Sequence, residues 1–375
     1  MGLSSTDSLE QLLGQFRAAQ QATSKSMARM MMEAMRLRYG ATGIGFSEYF
    51  GYGLYDTARL SPETIASFVS DGAAQQIWEA MNPPMYWGLV SDKVAFQLIM
   101  ERLGFVQPRL LALYSSEGRV LPTVESLQTA DDIERFLRES DNYPLFAKPN
   151  NSYRSHGAVG IDGYDAQRSV LKLINGEELP IADFAKEAAV RRSYLFQEKM
   201  VPHASLADIS GASLSTMRVV VLYGKQGPEL FRVVWKIPNK RNMADNFWRP
   251  GNVVAHVDQH TGKVYTVIQS ATAGFEEVGA DNPLGQRFLN TEPPLYREAI
   301  DLVMAASRVF PMFGYQAWDI ALTNNGPLAL EMNHNGDIEL LQVGAREGIL
   351  DARFQELLDS KGVTLKNAKK RIGGN

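Results

Sequence analysis

The chain contains no cysteine. This excludes disulfides, thiolate zinc sites and a cysteine nucleophile, and it fits a reducing compartment, so a cytoplasmic location is the expectation. Histidine is scarce: His156, His203, His256, His260 and His334 are the whole set, and the one pair four apart, His256 and His260, falls on an expected strand and the loop after it, so no helical metal pair is in view. No GxxxxGK(S/T) loop, HExxH pair or GxSxG elbow occurs, which leaves no covalent nucleophile in view. No apolar run reaches the length of a membrane span, and no basic segment followed by an apolar one opens the chain. Positive charge is not in excess either. With 38 Lys and Arg against 42 Asp and Glu, the formal charge of -4 removes the general electrostatic case for nucleic acid. A local basic cleft for small anions stays open. Met1-Gly2-Leu3-Ser4-Ser5-Thr6 fits the loose N-myristoylation pattern but lacks an adjacent polybasic cluster, and it reads as coincidence.

What is present is an ordinary globular composition, 45% hydrophobic and 21% charged over 375 residues, enough for one large domain or two to three modest ones. The first ninety residues read as helical. Ser8 to Arg38 carries apolar residues at helical spacing, including a methionine stripe from Met27 to Met35 that would fill a core, as one long helix or two. The glycines and aromatics from Tyr39 to Tyr55 read as a packed loop or short helices. Ser61-Pro62 starts a helix expected to run to Met81. Asp92 then opens another, with Val94, Leu98 and Leu103 as its apolar face and Gly104 as its stop. Beyond it, strands are expected at 109–113, 145–148, 194–198, 217–222, 230–237, 253–257 and 264–268, so the second half is rich in antiparallel sheet. Helices are expected at 131–139, 292–309 and 340–358, and the basic tail 361–375 is expected to be disordered.

One stretch near the end, Trp318 to Gly336, looks like a metal-binding hairpin. Apolar runs flank Asn324-Asn325-Gly326, and a three-residue loop with Gly326 in the left-handed position sets Thr323 opposite Pro327. Counting outward puts Asp319 opposite Glu331 and Asn333 on the same face, while Pro327 demands an edge strand. Two carboxylates about 5 Å apart repel by roughly 3 kcal/mol at an effective dielectric of about 20, so they call for a cation. Oxygen ligands without sulfur or imidazole suit magnesium, which leaves coordination positions to water and nucleotide phosphates. Taken alone, the stretch reads more readily as a solvated hairpin with surface charges, because short acidic patterns recur by chance.

Other residues suit phosphoryl transfer, where positioning and charge neutralisation do most of the work. Lys148 ends an apolar strand, and taken singly it reads as a strand-end surface lysine or a phosphate contact. The loop after it has Gly157, Gly160 and Gly163, with Asn151, Ser152, Ser155 and His156 as further donors to phosphate or to solvent. Tyr194 to Pro202 is an apolar strand leading into a hinge that could face a purine edge. Arg218 begins a strand and could grip phosphate or carboxylate, and Lys236 ends the next one.

The order of these parts resembles the ATP-grasp superfamily, most of all its sugar-transfer-associated group. The resemblance spans roughly Ser91 to Asp351. It rests on Ser91-Asp92-Lys93, Phe146-Ala147-Lys148-Pro149, Gln197-Glu198-Lys199, Ser215-Thr216-Met217-Arg218, Asp245-Asn246-Phe247 with Gly251, Asp258 with Thr261-Gly262, and the Asp319…Glu331-x-Asn333 hairpin. It implies an α+β ATP-grasp fold, two lobes clasping ATP, with a helical N-terminal extension. The lobes would be 91–200 and 201–360, and the extension 1–90 would bind a substrate or a partner. Lys93 and Lys148 would contact the phosphates, with the loop of Ser152, Gly157 and Gly160 closing over them. Glu198, Lys199 and Val201 would line the adenine site, and His203 or Ser205 would meet the ribose. Arg218 and Lys236 would face the transferred phosphate or acyl intermediate, and Asp319, Glu331 and Asn333 would hold Mg2+. The loop 150–156 is poorer in glycine than the family's, and Pro250-Gly251-Asn252 stands where a glycine pair is common. The implied activity is a carboxylate–amine ligase working through an acylphosphate on small-molecule substrates, in glycan or specialised-metabolite synthesis. The alternatives are a small-molecule kinase on the same fold and a non-catalytic binding module.

Overall fold

The computed structural model describes residues 5–152, 155–271 and 274–365. The tail from Lys366 onward and the first four residues of the myristoylation pattern lie outside them. The N-terminal region opens with α1 (Ser5–Thr23) and α2 (Met27–Arg38), separated at Ser24, whose φ is +56°. It continues through α3 (Phe46–Gly51) and α4 (Pro62–Ala66). Phe16, Met30, Ala34, Tyr49, Phe50 and Phe68 close a small core between these helices. Only Met30 of the methionine stripe reaches it, while Met27, Met31, Met32 and Met35 stay exposed.

The helix expected from Pro62 to Met81 is broken. Val69 leaves it to exchange two 2.9 Å hydrogen bonds with the Gln342 carboxamide, and α5 (Asp71–Met81) restarts under the Ser70 side chain. Ala73, Ala74, Ile77 and Met81 of α5 join the core of the second sheet instead of the N-terminal one. After α6 (Gly88–Ser91), α7 (Lys93–Arg102) begins at the Asp92 cap as read. Its buried face differs from the expected one: Val94, Phe96, Gln97 and Met100 are inside, and Leu98 and Leu103 are exposed. The cause is that α7 packs on two sides at once. Val94 meets Leu113 and Leu195 of the first sheet, and Phe96 and Met100 enter the core of the second.

The first sheet is built from β1 (Leu110–Ser115), β2 (Glu125–Leu127), β3 (Leu145–Pro149), β4 (Val159–Asp165), β5 (Val170–Leu173), β6 (Glu178–Pro180) and β7 (Ser193–Glu198), in the order β2-β1-β7-β3-β4-β5-β6. Only β1 and β2 run parallel. The apolar stripes of α8 (Ala130–Glu139) and α9 (Ile181–Val190) pack against it. The second sheet follows α10 (Ala207–Ser210). It comprises β8 (Thr216–Gly224), β9 (Gly227–Ile237), β10 (Val253–Val257), β11 (Val264–Ala271) and β12 (Gly274–Glu277), then, after α11 (Pro283–Phe288) and α12 (Tyr296–Ser307), β13 (Tyr315–Thr323) and β14 (Gly326–Asn333). Every pairing in it is antiparallel, in the order β12-β11-β10-β9-β8-β13-β14. With α12 on one face and α5, α13 (Ile338–Gln342) and α14 (Ala352–Ser360) on the other, its central strands are buried on both sides and read as continuous apolar runs. Among the described residues no helix is long and apolar enough to cross a membrane.

Candidate active site

The β13–β14 hairpin reaches the expected pairing by another route. Gly326 does turn the chain with φ +107°, but Thr323 pairs with Gly326 and Leu322 with Pro327, one residue away from the expected register. Leu330 is then an extra residue, a bulge that brings Asp319 back opposite Glu331. Pro327 is tolerated because β14 is the edge of the sheet. The Asn333 carboxamide nitrogen lies 3.4 Å from Asp319 Oδ2 and 3.3 Å from Glu331 Oε1, so the three side chains converge.

The chain supplies its own cations to this pair of acids. Arg218 on β8 forks onto Asp319, Nε to Oδ1 at 2.6 Å and Nη2 to Oδ2 at 2.8 Å, and Lys236 on β9 reaches Oδ1 at 3.1 Å. All three are buried. Burial opposes the Asp319 charge, yet Arg218 and Lys236 outweigh it and hold the carboxyl far below its usual range. Burial likewise opposes the Arg218 charge, and Asp319 overcomes it, holding the guanidinium above its ordinary value. Lys236 also lies 3.4 Å from Asp245 Oδ2, an oxygen that accepts from the Thr216 hydroxyl. Lys93 sits 3.5 Å from Glu331 Oε2 and donates to the Ser152 carbonyl at 3.1 Å. Burial and then the Lys93 charge push the Lys148 ammonium down to about 8, against the pull of Glu331. Among the described residues no three His, Cys, Asp or Glu side chains cluster as a metal site; the set here is two carboxylates and a carboxamide.

These groups line one cleft of about 420 Å³ where the two sheets meet. Lys148, Ser152, Glu198 and Lys199 enter it from the first sheet and its loops, Lys93 from α7, and Arg218, Lys236, Asp319, Glu331 and Asn333 from the second sheet. Burial pushes the Lys199 ammonium down, opposed by Asp162, and Glu198 accepts from the Arg109 N–H at 2.8 Å.

Val201, His203, Ser205, Gly157 and Gly160 are not among the residues lining it. The Val201 carbonyl accepts from Asn324 N–H and the His203 N–H donates to the Leu322 carbonyl, so this hinge is stitched to the hairpin turn. The His203 ring faces the Ser205 hydroxyl at 2.8 Å. Gly157 turns the loop at φ +80°, and its carbonyl accepts from the Tyr194 hydroxyl. Gly160 is a strand residue of β4 paired with Phe146, and a Cβ there would lie 2.5 Å from Ile174 Cδ1, so its missing side chain serves packing.

Lining residues with no role assigned from sequence are Asp245, Trp248, Asn335 and Asp337, with Asp71 and Trp78 of α5. Asp245 belongs to a quoted landmark and Asn335 to the Trp318–Gly336 stretch, neither with a role of its own; Asp71 and Trp78 carried no signal, because α5 reads as an ordinary amphipathic helix.

A search among curated proteins finds no match. Among solved structures, the ATP-grasp ligase PsnB with minimal precursor is 14% identical at a TM-score of 0.38, over 74% of this chain and 63% of that one. D-alanine–D-alanine ligase from Bacillus anthracis is 14% identical at 0.38, over 76% and 70%, and L-amino acid ligase from Bacillus licheniformis 12% at 0.34, over 70% and 48%. This chain thus spans less than two thirds of the PsnB and L-amino acid ligase chains. The sequence model described as sugar-transfer associated ATP-grasp matches residues 73–356, from within α5 through both sheets and into α14. The chain belongs to the sugar-transfer associated ATP-grasp family, with an α+β ATP-grasp fold preceded by N-terminal helices.

Proposed function

We propose that this protein is a magnesium- and ATP-dependent ligase that activates a small-molecule carboxylate as an acylphosphate and joins it to an amine. The observation that carries this reading is the meeting of Lys93, Lys148, Arg218 and Lys236 with Asp319, Glu331 and Asn333 in one cleft between two sheets. In this reading residues 91–200 and 201–360 are the two lobes that hold the nucleotide, with the glycine loop at Ser152 and Gly157 over its phosphates. Lys93 and Lys148 bind those phosphates, and Glu198 and Lys199 face the adenine edge. Magnesium takes few protein oxygens and keeps waters and phosphates, which fits two carboxylates with the Asn333 carboxamide oxygen turned inward. Bound there, it would screen the phosphate oxygens of ATP.

A substrate carboxylate oxygen attacks the terminal phosphorus, and the bond to the bridging oxygen breaks with its electron pair left on ADP. The neutral amine nitrogen then attacks the acyl carbon, the C–O bond to phosphate breaks, and the nitrogen gives up a proton to the departing phosphate. Arg218 and Lys236 stabilise the oxyanion of that second step. Panels of carboxylate–amine pairs with ATP and magnesium are expected to yield ADP, phosphate and an amide, and hydroxylamine in place of the amine to trap a hydroxamate. A stable phosphoester would identify a kinase instead. Normal nucleotide binding without ADP from any pair would sink the reading.

A further inference from the structure

The charged residues of the cleft come from different elements. Its lysines and arginines come from α7 and the two sheets with their loops: Lys93, Lys148, Lys199, Arg218 and Lys236. The residues that α5 and the 335–340 segment contribute are Asp71, Trp78, Asn335, Asp337 and Leu340, with Gly336 and no basic side chain of their own; the Arg218 guanidinium stands beside Gly336, where Asp337 helps hold it protonated. Trp248 faces this end and donates its indole N–H to Asp337 Oδ2 at 3.4 Å. Asp337 Oδ1 accepts the Leu340 N–H at 3.2 Å, and each carboxylate oxygen keeps a lone pair for a further donor. The Asp71 carboxylate is exposed and has no hydrogen-bond or ion-pair partner among the described residues. The Trp78 indole N–H is enclosed without an acceptor among them. A buried donor left unpaired is costly, so it marks a place where an outside group completes the site.

This end is also held rigidly against the reacting groups. Asn82, just after α5, donates to the carbonyls of Tyr315 at 2.8 Å and of His334, and its Oδ1 accepts the Tyr315 N–H at 3.0 Å. Helix α5 is thereby fastened to the strand that carries Asp319. From this arrangement we infer that the α5 end of the cleft is the acceptor subsite of the ligase, and that it selects an amine that arrives as the ammonium on an apolar or aromatic body and passes one proton to the Asp337 carboxylate, leaving the neutral nitrogen that attacks. Asp71 and Asp337 recognise the charge, and the faces of Trp78 and Trp248 take the body and add cation–π attraction. The role as acceptor subsite rests on the ligase reading above; the preference for an ammonium does not.

Phenethylammonium, 3-phenylpropionate and 2-phenylethanol share a body and differ in head group, so ligand-detected NMR titration of the full chain with each tests the preference. Phenethylammonium is expected to bind saturably and most tightly, and Asp71→Asn with Asp337→Asn to weaken it at least tenfold while leaving ATP affinity within twofold. Asparagine keeps the helix cap at 337, and Asp71→Asn alone, at an exposed carboxylate with no hydrogen-bond or ion-pair partner among the described residues, keeps the test readable should the double variant melt early. Equal or tighter binding of 3-phenylpropionate, retention of phenethylammonium affinity by the variants, or no saturable binding each overturns the inference. With any amine that supports ADP release, the double variant should raise the amine KM at least tenfold and leave the ATP KM within twofold. ADP release with an unchanged amine KM strikes the subsite alone. Selective ammonium binding with no ADP release from any pair strikes the ligase reading and leaves the ammonium preference standing.

Discussion

Asp319 is committed before any ligand arrives, since both of its oxygens serve buried cations. Asp319→Asn removes the counter-charge from Arg218, while Lys236 retains Asp245. Breaking one side of a buried pair costs about 3–5 kcal/mol, because the remaining charge stays buried and uncompensated. Urea denaturation should show that loss, together with loss of turnover. Glu331→Gln makes the contrast: its side chain is 28% exposed and its ion pair is with Lys93, so it should cost about 1 kcal/mol or less while abolishing turnover as fully. Equal stability of the two variants would remove the buried-pair account. His256 makes a separate prediction. Its Nε2–H donates to the Val343 carbonyl at 2.7 Å, and burial pushes its pKa to about 4. The fold therefore keeps the ring neutral while the unfolded chain takes up a proton near pH 6.5. Its contribution is fully present above that pH and is lost as pH falls toward 4, at up to about 1.4 kcal/mol per unit. His256→Gln should flatten the fall in urea midpoint across that window, and an unchanged slope would exclude His256 as its source.

At the scale of the element, the hairpin shows what alternation alone can tell. Period-two spacing is enough to place Glu331 and Asn333 on one face, and the pairing with Asp319 is reached because two deviations cancel: a shorter turn and one bulged residue. No sequence signal announces that bulge, since Leu330 is as apolar as its neighbours. The compensation is physical, because without it Glu331 would face away from Asp319. Deleting Leu330 removes the bulge and keeps Ala329 opposite Ile320, so Glu331 follows directly as the partner of Asp319 and Asn333 stays on that face. The expected outcome is a folded chain by circular dichroism that keeps the magnesium dependence of nucleotide binding. Loss of that dependence in a folded chain would show that the bulge sets more than the face these residues occupy. Lys148, Arg218 and Lys236 stood out for a similar local reason, each near the end of an apolar strand where a charged head can leave the core, whereas Lys93 was named only through the family resemblance.

What local pattern leaves out belongs to the whole molecule. The break between α4 and α5 depends on Gln342, 273 residues away, and the buried face of α7 on two cores that touch it from opposite sides. Asp71 and Trp78 enter the cleft by the same kind of long-range contact, so no periodicity could assign them. Asn82 concentrates this coupling, as it satisfies Tyr315 N–H and two carbonyls in the interior between α5 and the hairpin. Asn82→Ala would leave those groups unpaired at about 1–3 kcal/mol each, partly relieved by local movement or water, so a loss of about 2–4 kcal/mol is expected. A purely local attachment would free only the helix. If α5 is instead part of the machinery that holds the hairpin, amide exchange should rise together over residues 71–81 and 315–333, with protection of β9 and β10 unchanged. Exchange confined to α5 would show that the helix rests on the site without supporting it.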